Sequence, residues 1–574
     1  MNYLRFLPVL VALAIMIAIA CTPQYEKVTI SIPTGLAAGF MLTRWYCDLP
    51  PSIVRRKWKQ LAGNVRLAYL IPLGLTLLLS IIPSLVRGRF PPVSSHDEFS
   101  YILAADTYLH GRLANPTPAG WQHFESMHIN VIPAYCSKYQ PGMGLMLAAG
   151  QLLGHPYFGM LMALGIASLA STWMFRSWLP PVWALKASLL MTCPLATNWG
   201  DYYFAGGPLA IIAGAILVRY FKTVRRHKLS HGDAMLLSGC LVLLFWTRPF
   251  EGGIAALLLG IPILYFAFCR QGLQLFQMIP ACILILAPAA WFQFSLNQAC
   301  TGSYTKLPYI EHEEQYGMTP LFLFQPPRAV TPEYRNATLQ SFHKSMLSWY
   351  ELQHDHRLSR ALLFKAGTGW NFFFSLFWLV PLCMLPELCR MPLIRYLLAC
   401  WFLLFLILLF GTTWFLNHYA APLAPAWAIV IIFACRLVSQ LRYRGYAWGR
   451  FIIVLLFMSF SVQAVVERNL VSYFSKDATA AIRSTIERQL SSEPGRHLIF
   501  MTYGSKHDTG QECVYNSATI SAQKVIWARS LGREADELLM KEYPQRQYWI
   551  LHADSTQDPP VGKLEPYPIT PARR

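Results

Sequence analysis

Apolar runs of about 15–20 residues, separated by short polar connections, recur along the first 466 positions. They stand near 6–20, 28–43, 67–86, 156–175, 183–200, 206–218, 234–247, 252–269, 276–296, 370–386, 396–415, 419–435 and 451–466. A bilayer core takes roughly 20 apolar residues per helix. A buried soluble core explains one such run but not a dozen. The pattern therefore predicts a mainly α protein, a polytopic transmembrane helical bundle of about 11–13 spans. From about Glu467 the pattern changes to that of a soluble unit. His497–Tyr503 and Tyr548–Ala553 read as strands, with Glu512–Asn516 as a further short one, and Ala478–Leu490 and Glu534–Glu542 read as helices. The expected organisation is a membrane domain over 1–466, with long polar segments at 87–155 and 297–369, and a small α/β domain over 467–574. That second domain carries no Gly-rich phosphate loop and no nucleophile elbow, so it reads as an acceptor-binding or structural unit. No repeat of 20–50 residues is present.

Composition agrees and charge adds an orientation. Of 574 residues only 13% are charged and 55% are hydrophobic, against roughly 25% charged in soluble proteins. With 34 Phe, 28 Tyr and 18 Trp, the chain is not a disordered one. A formal charge of +19 raises the question of nucleic acid, and the placement of the charge answers it. Lys and Arg gather in alternate connections, at 44–66 (Arg44, Arg55, Arg56, Lys57, Lys59, Arg66), at 219–233 and at 436–450. The positive-inside rule puts these in the cytoplasm, so 87–155, 297–369 and the tail face outward. The excess charge is a topology signal, and no nucleic-acid partner is expected. Met1–Arg5, an apolar run and Ala20-Cys21 read either as a cleaved signal or as an uncleaved first helix; Ala18, where a lipoprotein site has Leu, favours the helix. Most of the 13 cysteines lie within apolar runs; among the outward Cys136, Cys300 and Cys513, a disulfide between two is left open.

The segment 87–155 is too rich in mixed chemistry for a connector. Phe99–Leu109 has helical apolar spacing, and Asp97 and Glu98 stand just before it, where a helix N-terminus favours carboxylates. Asp97 is then either an N-cap, shared as a candidate with Ser95, or a general base at the membrane boundary. His96, His110, His123 and His128 lack the spacing of a zinc helix and read as surface histidines. If a divalent metal binds, Asp97, Glu98, His123 and His128 are the first ligands to consider.

The run Ser95-x-Asp97-Glu98-x-x-Tyr101 after an early span, followed by Lys138-Tyr139-x-Pro141-Gly142 before the next, resembles the GT-C superfamily. These are integral membrane glycosyltransferases that use polyprenyl-phosphate-linked sugars, and the likeness is to the protein-mannosyltransferase and aminoarabinose-transferase branch. The resemblance implies that Asp97 is the catalytic base and that Lys138 contacts donor phosphate; Glu98 is a further catalytic candidate, and Tyr101 and Tyr139 are candidates for substrate binding. Gln140 departs from the family pattern, which often has the first Pro of a pair there. The resemblance also implies a second acidic residue in the next outward loop, which Asp201 matches; by its own surroundings (Asn198, Gly200, Gly206) Asp201 reads equally as a turn residue.

Three further groups stand at the same outer boundary. Arg248 and Glu251, three apart, either neutralise each other or leave Arg248 to hold a phosphate through its planar fork. His418 and Tyr419 read as interfacial residues that line the same face. Within 297–369, Tyr304, Lys306, Pro308, Tyr309, Glu311, His312, Glu313, Glu314 and Tyr316 form a polar cluster that is either a solvated connector or, as the resemblance implies, a cover over the site. The expected function is transfer of a sugar from a polyprenyl-phosphate donor to a lipid, glycan or protein acceptor, at the outer face of the bacterial inner membrane. It would proceed with inversion and no required cofactor. The alternative is a transporter or flippase for a lipid-linked sugar, which predicts charges at mid-span.

Overall fold

The computed structural model describes residues 26–48, 51–200, 203–204, 206–354, 358–466, 478–504, 507, 512–554 and 561–568. The apolar run near 6–20, the Ala20-Cys21 junction and Asp201 lie outside them. Six helical runs among the described residues are long and apolar enough to cross a membrane: Val65–Arg87, Pro156–Trp178, Pro249–Thr301, Pro392–Gly411, His418–Val438 and Trp448–Val465. The protein is a multi-pass membrane protein. Pro249–Thr301 holds two helices, Pro249–Gln271 and Ile279–Thr301, parted by a 3-10 turn that begins at Gly272. Helices over Glu26–Asp48, Pro181–Trp199, Gly206–Thr223 and His231–Thr247 occupy four more of the expected positions. Gly206–Thr223 and Ala424–Val438 are buried on nearly every side, as helices apolar all round must be.

The expected span near 370–386 is broken. Helix Leu358–Phe374 ends at Ser375, whose φ of 56° is left-handed, and two 3-10 turns and the five-residue helix Leu385–Cys389 follow. Pro381, which lacks an amide proton, opens the second turn. Hydropathy registers the apolar content of this stretch and not the break.

Gly35 and Gly39, four apart on helix Glu26–Asp48, face Ser459 of helix Trp448–Val466. A Cβ at Gly39 would stand 2.7 Å from the Ser459 Cα, closer than atoms pack. Small residues at this spacing let two membrane helices touch along their backbones. Gly39→Leu is therefore expected to force the pair apart, at a cost of at least about 1–3 kcal/mol. Thermal unfolding of the detergent-solubilised protein checks this; an unchanged midpoint would show that the crossing tolerates a side chain.

The C-terminal unit is a four-stranded sheet in the order β4-β3-β5-β6, with β3 His497–Tyr503, β4 Val525–Arg529, β5 Gln547–Asp554 and β6 Val561–Pro566. β1 and β2 are the two-residue strands Ile129–Asn130 and Cys136–Ser137 of the first polar segment. β3 pairs in parallel with both neighbours, His497 lying opposite Val525 and Gln547, and β6 closes the edge antiparallel. One face of the sheet packs on helix Ala478–Ser492 through Ile482, Ile486 and Leu490. The other packs on the first polar segment, where Leu103, Phe124 and Tyr135 meet Leu498, Phe500 and Ile526. Glu512–Asn516 is not a strand: the Glu512 carboxylate turns back to accept from the amides of Cys513 and Val514 (2.9 Å each), which removes them from any ladder.

Candidate active site

Helix His96–Leu109 begins with a capping box. Ser95 is the N-cap, and its hydroxyl accepts from the Glu98 amide. The Glu98 carboxylate returns the bond, accepting from the amides of Ser94 (2.9 Å) and Ser95 (3.1 Å). Its other oxygen accepts from the Tyr203 amide at 2.7 Å. Glu98 is 1% exposed, and its carboxylate is occupied by three backbone amides from two stretches of chain. Asp97 is thereby freed from capping and keeps 26% of its side-chain surface open. Glu98→Ala would strand these amides in the interior, at about 2–4 kcal/mol. A lowered unfolding temperature is expected, and a wild-type value would refute this positioning role.

The groups around Asp97 are set by the hairpin of β1 and β2. Buried Ser100 meets Ser137 (2.7 Å) and donates to the His128 carbonyl (2.7 Å), pinning the hairpin to the helix. His128 is held at φ 64°, a strained setting for a non-glycine residue. His128 Nε2 lies 3.7 Å from one Asp97 oxygen, His96 Nδ1 lies 3.3 Å from the other, and the Tyr139 hydroxyl donates to Asp97. Burial pushes the Asp97 carboxyl up, but His128, His96 and Tyr139 together hold it well below the usual carboxylate range. Burial and the Lys138 charge push His128 itself down, against the pull of the Asp97 charge.

Gly142 explains how the second motif reaches the first. A Cβ there would stand 2.7 Å from the Trp246 carbonyl, so helix Pro141–Leu152 can start hard against the end of helix His231–Thr247. That end is Arg248, which is the C-cap of this helix and the N-cap of Pro249–Gln271. Its guanidinium lies over Tyr419 (4.2 Å) and Phe204 (5.7 Å) and donates to His418 Nε2. Glu251 is buried within electrostatic reach of it. Arg248 Nε is buried and meets no partner among the described residues. Rings link the two sides of the site: Tyr139 to Tyr101 (4.7 Å), Tyr101 to Phe204 (5.4 Å) and Phe204 to His418 (4.3 Å).

Lys138 is buried, 3.2 Å from Glu313 and 4.7 Å from the Tyr309 ring centroid. Both partners belong to helix Pro308–Tyr316, which Asn130 and Gln315 tie to the hairpin (2.9 and 2.8 Å). Helix Ala337–His354 packs above it through Phe342 and His343. Part of 297–369 is thus a folded cover. Burial and the Lys138 charge drive His312 down to about 4, and burial with His312 beside it drives His343 down to about 3. Unfolded histidines take protons near pH 6.5, so between about pH 6.5 and 4 the unfolded state binds protons that the folded cover refuses. Stability therefore falls as pH falls through that window, by about 2 kcal/mol per histidine at pH 5. Glu313 works lower: burial raises it, but Lys138 brings it to about 2, so its contribution is lost only in stronger acid. Faster amide exchange in 308–316 and 337–354 at pH 5 than at pH 7, after correction for intrinsic rates, is the expected result.

The structure brings together Asp97, Tyr101, Lys138, Tyr139, Arg248, Glu251, His418 and Tyr419, with Glu98 directly behind Asp97. The metal set expected from sequence is revised. His96, Asp97 and His128 have ligand atoms all within 4.8 Å of one another and could hold a cation. His123 is buried elsewhere, its Nδ1 2.8 Å from the Arg529 carbonyl at the C-terminal sheet. Glu98 has its oxygens engaged as described. His123 and His128 are therefore not surface histidines. Phe204 and His343 are site neighbours that sequence reasoning missed. Tyr203 gave no signal either, because its contribution is a backbone amide. Cys136 and Cys300 share one small apolar cluster, whereas Cys513 lies in another, and all three are free thiols.

No protein-family model and no curated protein matches the chain. Solved structures do. ArnT from Cupriavidus metallidurans, bound to undecaprenyl phosphate, aligns with a TM-score of 0.44 at 12% identity, over 85% of this chain and 93% of that one. The Archaeoglobus fulgidus oligosaccharyltransferase in complex with Zn and sulfate aligns with a TM-score of 0.49 at 11% identity, over 85% and 68%. The oligosaccharyltransferase AglB of the same organism, with an inhibitory peptide and a dolichol-phosphate, gives 0.38 at 10% identity, over 84% and 69%. At these identities and scores the likeness is one of overall shape.

Proposed function

We propose that this chain is a GT-C-type membrane glycosyltransferase that moves a sugar from a polyprenyl-phosphate donor to a lipid, glycan or protein acceptor, at the outer face of the bacterial inner membrane. The observation that carries the reading is the pairing, in one site, of an accessible ionised carboxylate with a buried guanidinium that retains an unengaged donor. The acceptor hydroxyl or amine gives its proton to Asp97. The freed electron pair attacks the anomeric carbon on the side away from the phosphate, the carbon–oxygen bond to phosphate breaks, and the configuration inverts. The leaving polyprenyl phosphate takes that bonding pair. Arg248, with its fork toward the site, stabilises the charge, and His418 and Tyr419 hold the fork in place. Lys138 adds positive potential while its bond to Glu313 ties the cover to the hairpin. A glycosidase needs a paired acid and base; here the leaving group carries its own charge, and one base with cationic support suffices.

Purified protein in lipid nanodiscs, given a radiolabelled polyprenyl-phosphate sugar and an envelope extract as acceptor, is expected to release polyprenyl phosphate as label enters acceptor. Movement of intact lipid-linked sugar across vesicle membranes, with no release of the lipid phosphate, would overturn the reading in favour of a transporter.

A further inference from the structure

The helices that hold the Asp97 site at one end form a second concavity at the other. Val65–Arg87 runs toward the site from Asn64, Pro181–Trp199 runs toward Tyr203 from Pro180, and the chain from His418 runs away from it to Ser439. At that far end lies a cavity of about 710 Å3, within the range of about 300–1,000 Å3 typical of small-ligand sites. Its cations are Arg55 and Lys59 of the short helix Pro51–Gly63, Lys186 of Pro181–Trp199, Arg442 of the connection before helix Trp448–Val466, and Arg450 in the first turn of that helix. No acidic residue lines it among the described residues, and none of the five cations forms an ion pair with a described residue.

Cations that merely mark a cytoplasmic loop project into water. Lys186 does not: it is half-buried within the second turn of its helix, its ammonium 4.9 Å from the Trp183 ring centroid and 5.4 Å from that of Trp58. Trp58 is held in turn by a bond from its Nε1 to the Tyr46 hydroxyl, 3.1 Å. Below the cations the wall is apolar, formed by Phe451, Ile453 and Val454 at the start of a membrane helix. Cations and aromatic rings at the end of the membrane helices, beside an apolar wall, match one ligand chemistry: a phosphodiester carrying acyl chains. We propose that this cavity binds the headgroup of an anionic phospholipid of the inner leaflet, with Lys186 on the phosphate and Arg55 and Arg450 closing over it.

The test uses the full-length protein, purified and delipidated in detergent, with native mass spectrometry as readout. Phosphatidylglycerol and phosphatidylcholine are the lipid probes, with inorganic phosphate as competitor. One phosphatidylglycerol per chain is expected to be retained in preference to phosphatidylcholine and to resist millimolar phosphate. The variant Arg55→Gln/Lys186→Gln/Arg450→Gln is expected to bind about a hundredfold more weakly, at roughly fivefold per surface cation. Arg56→Gln/Lys57→Gln, which neutralises the same short helix outside the cavity, should leave retention unchanged. Because Arg55 is exposed, Arg55→Gln alone provides a variant whose folding is not at risk, and a fall of roughly fivefold is expected from it. Equal retention of the two lipids, displacement by phosphate, or an equal loss in the Arg56/Lys57 variant would each overturn the proposal.

Discussion

Asp97→Asn is expected to lower the rate of sugar transfer by about 10²–10⁴-fold, the range a positioned general base contributes, with KM for the lipid-linked donor changed no more than a few-fold. The substitution conserves shape. The amide oxygen can still accept from the Tyr139 hydroxyl, and the helix start is held by Ser95 and Glu98, so neither cap nor fold depends on the charge. What is lost is the ability to take a proton. Transfer at a wild-type rate by a folded Asp97→Asn protein would sink the assignment. The pH profile separates the base from its surroundings. The Asp97 carboxyl is held well below its ordinary value, so the base stays ionised as pH falls through the usual carboxylate range. A loss of rate between pH 6.5 and 5 would then belong to the cover histidines, and it should coincide with their faster amide exchange.

Arg248→Ala is the second large effect, about 10²–10³-fold in kcat, comparable to removing one preorganised donor from a developing oxyanion. Arg248→Lys should recover only part of it, because an ammonium cannot present two parallel donors. The alanine variant also leaves Glu251 buried beside an absent charge. The Arg248→Ala/Glu251→Gln double variant controls for that: if it transfers at the wild-type rate, the loss in the single variant came from the stranded carboxylate and not from phosphate contact.

The membrane helices are legible in the sequence because burial in lipid needs continuous apolar length, and hydropathy reports that directly. The break at Ser375 is not, since it rests on one backbone dihedral inside an apolar stretch. β4 is not legible, because Val525–Arg529 is buried along its whole length and lacks the apolar–polar alternation that marks a half-buried strand. At the site, the two motifs and the four boundary residues are legible, but the sequence reading takes Glu98 as a catalytic candidate beside Asp97, whereas its oxygens are engaged by backbone amides. A signal existed: Ser95 and Glu98 have the S-x-x-E spacing of a capping box, which assigns Glu98 to the backbone and releases Asp97. Phe204, His343 and the revised metal set had no local signal, because segments far apart in the chain meet only in the folded bundle.

The glycine crossing at Gly35 and Gly39 has a consequence for biogenesis. The partner of this helix, Trp448–Val466, is the last of the described membrane helices in chain order. At about 5–20 residues per second, helix Glu26–Asp48 waits on the order of half a minute in the bilayer with its narrow glycine face uncovered. Chains that stop short of Trp448 never cover it. A bundle assembled in this order closes around Glu26–Asp48 only once Trp448–Val466 has been made, so the state of that one face distinguishes chains that contain both helices from those cut short between them.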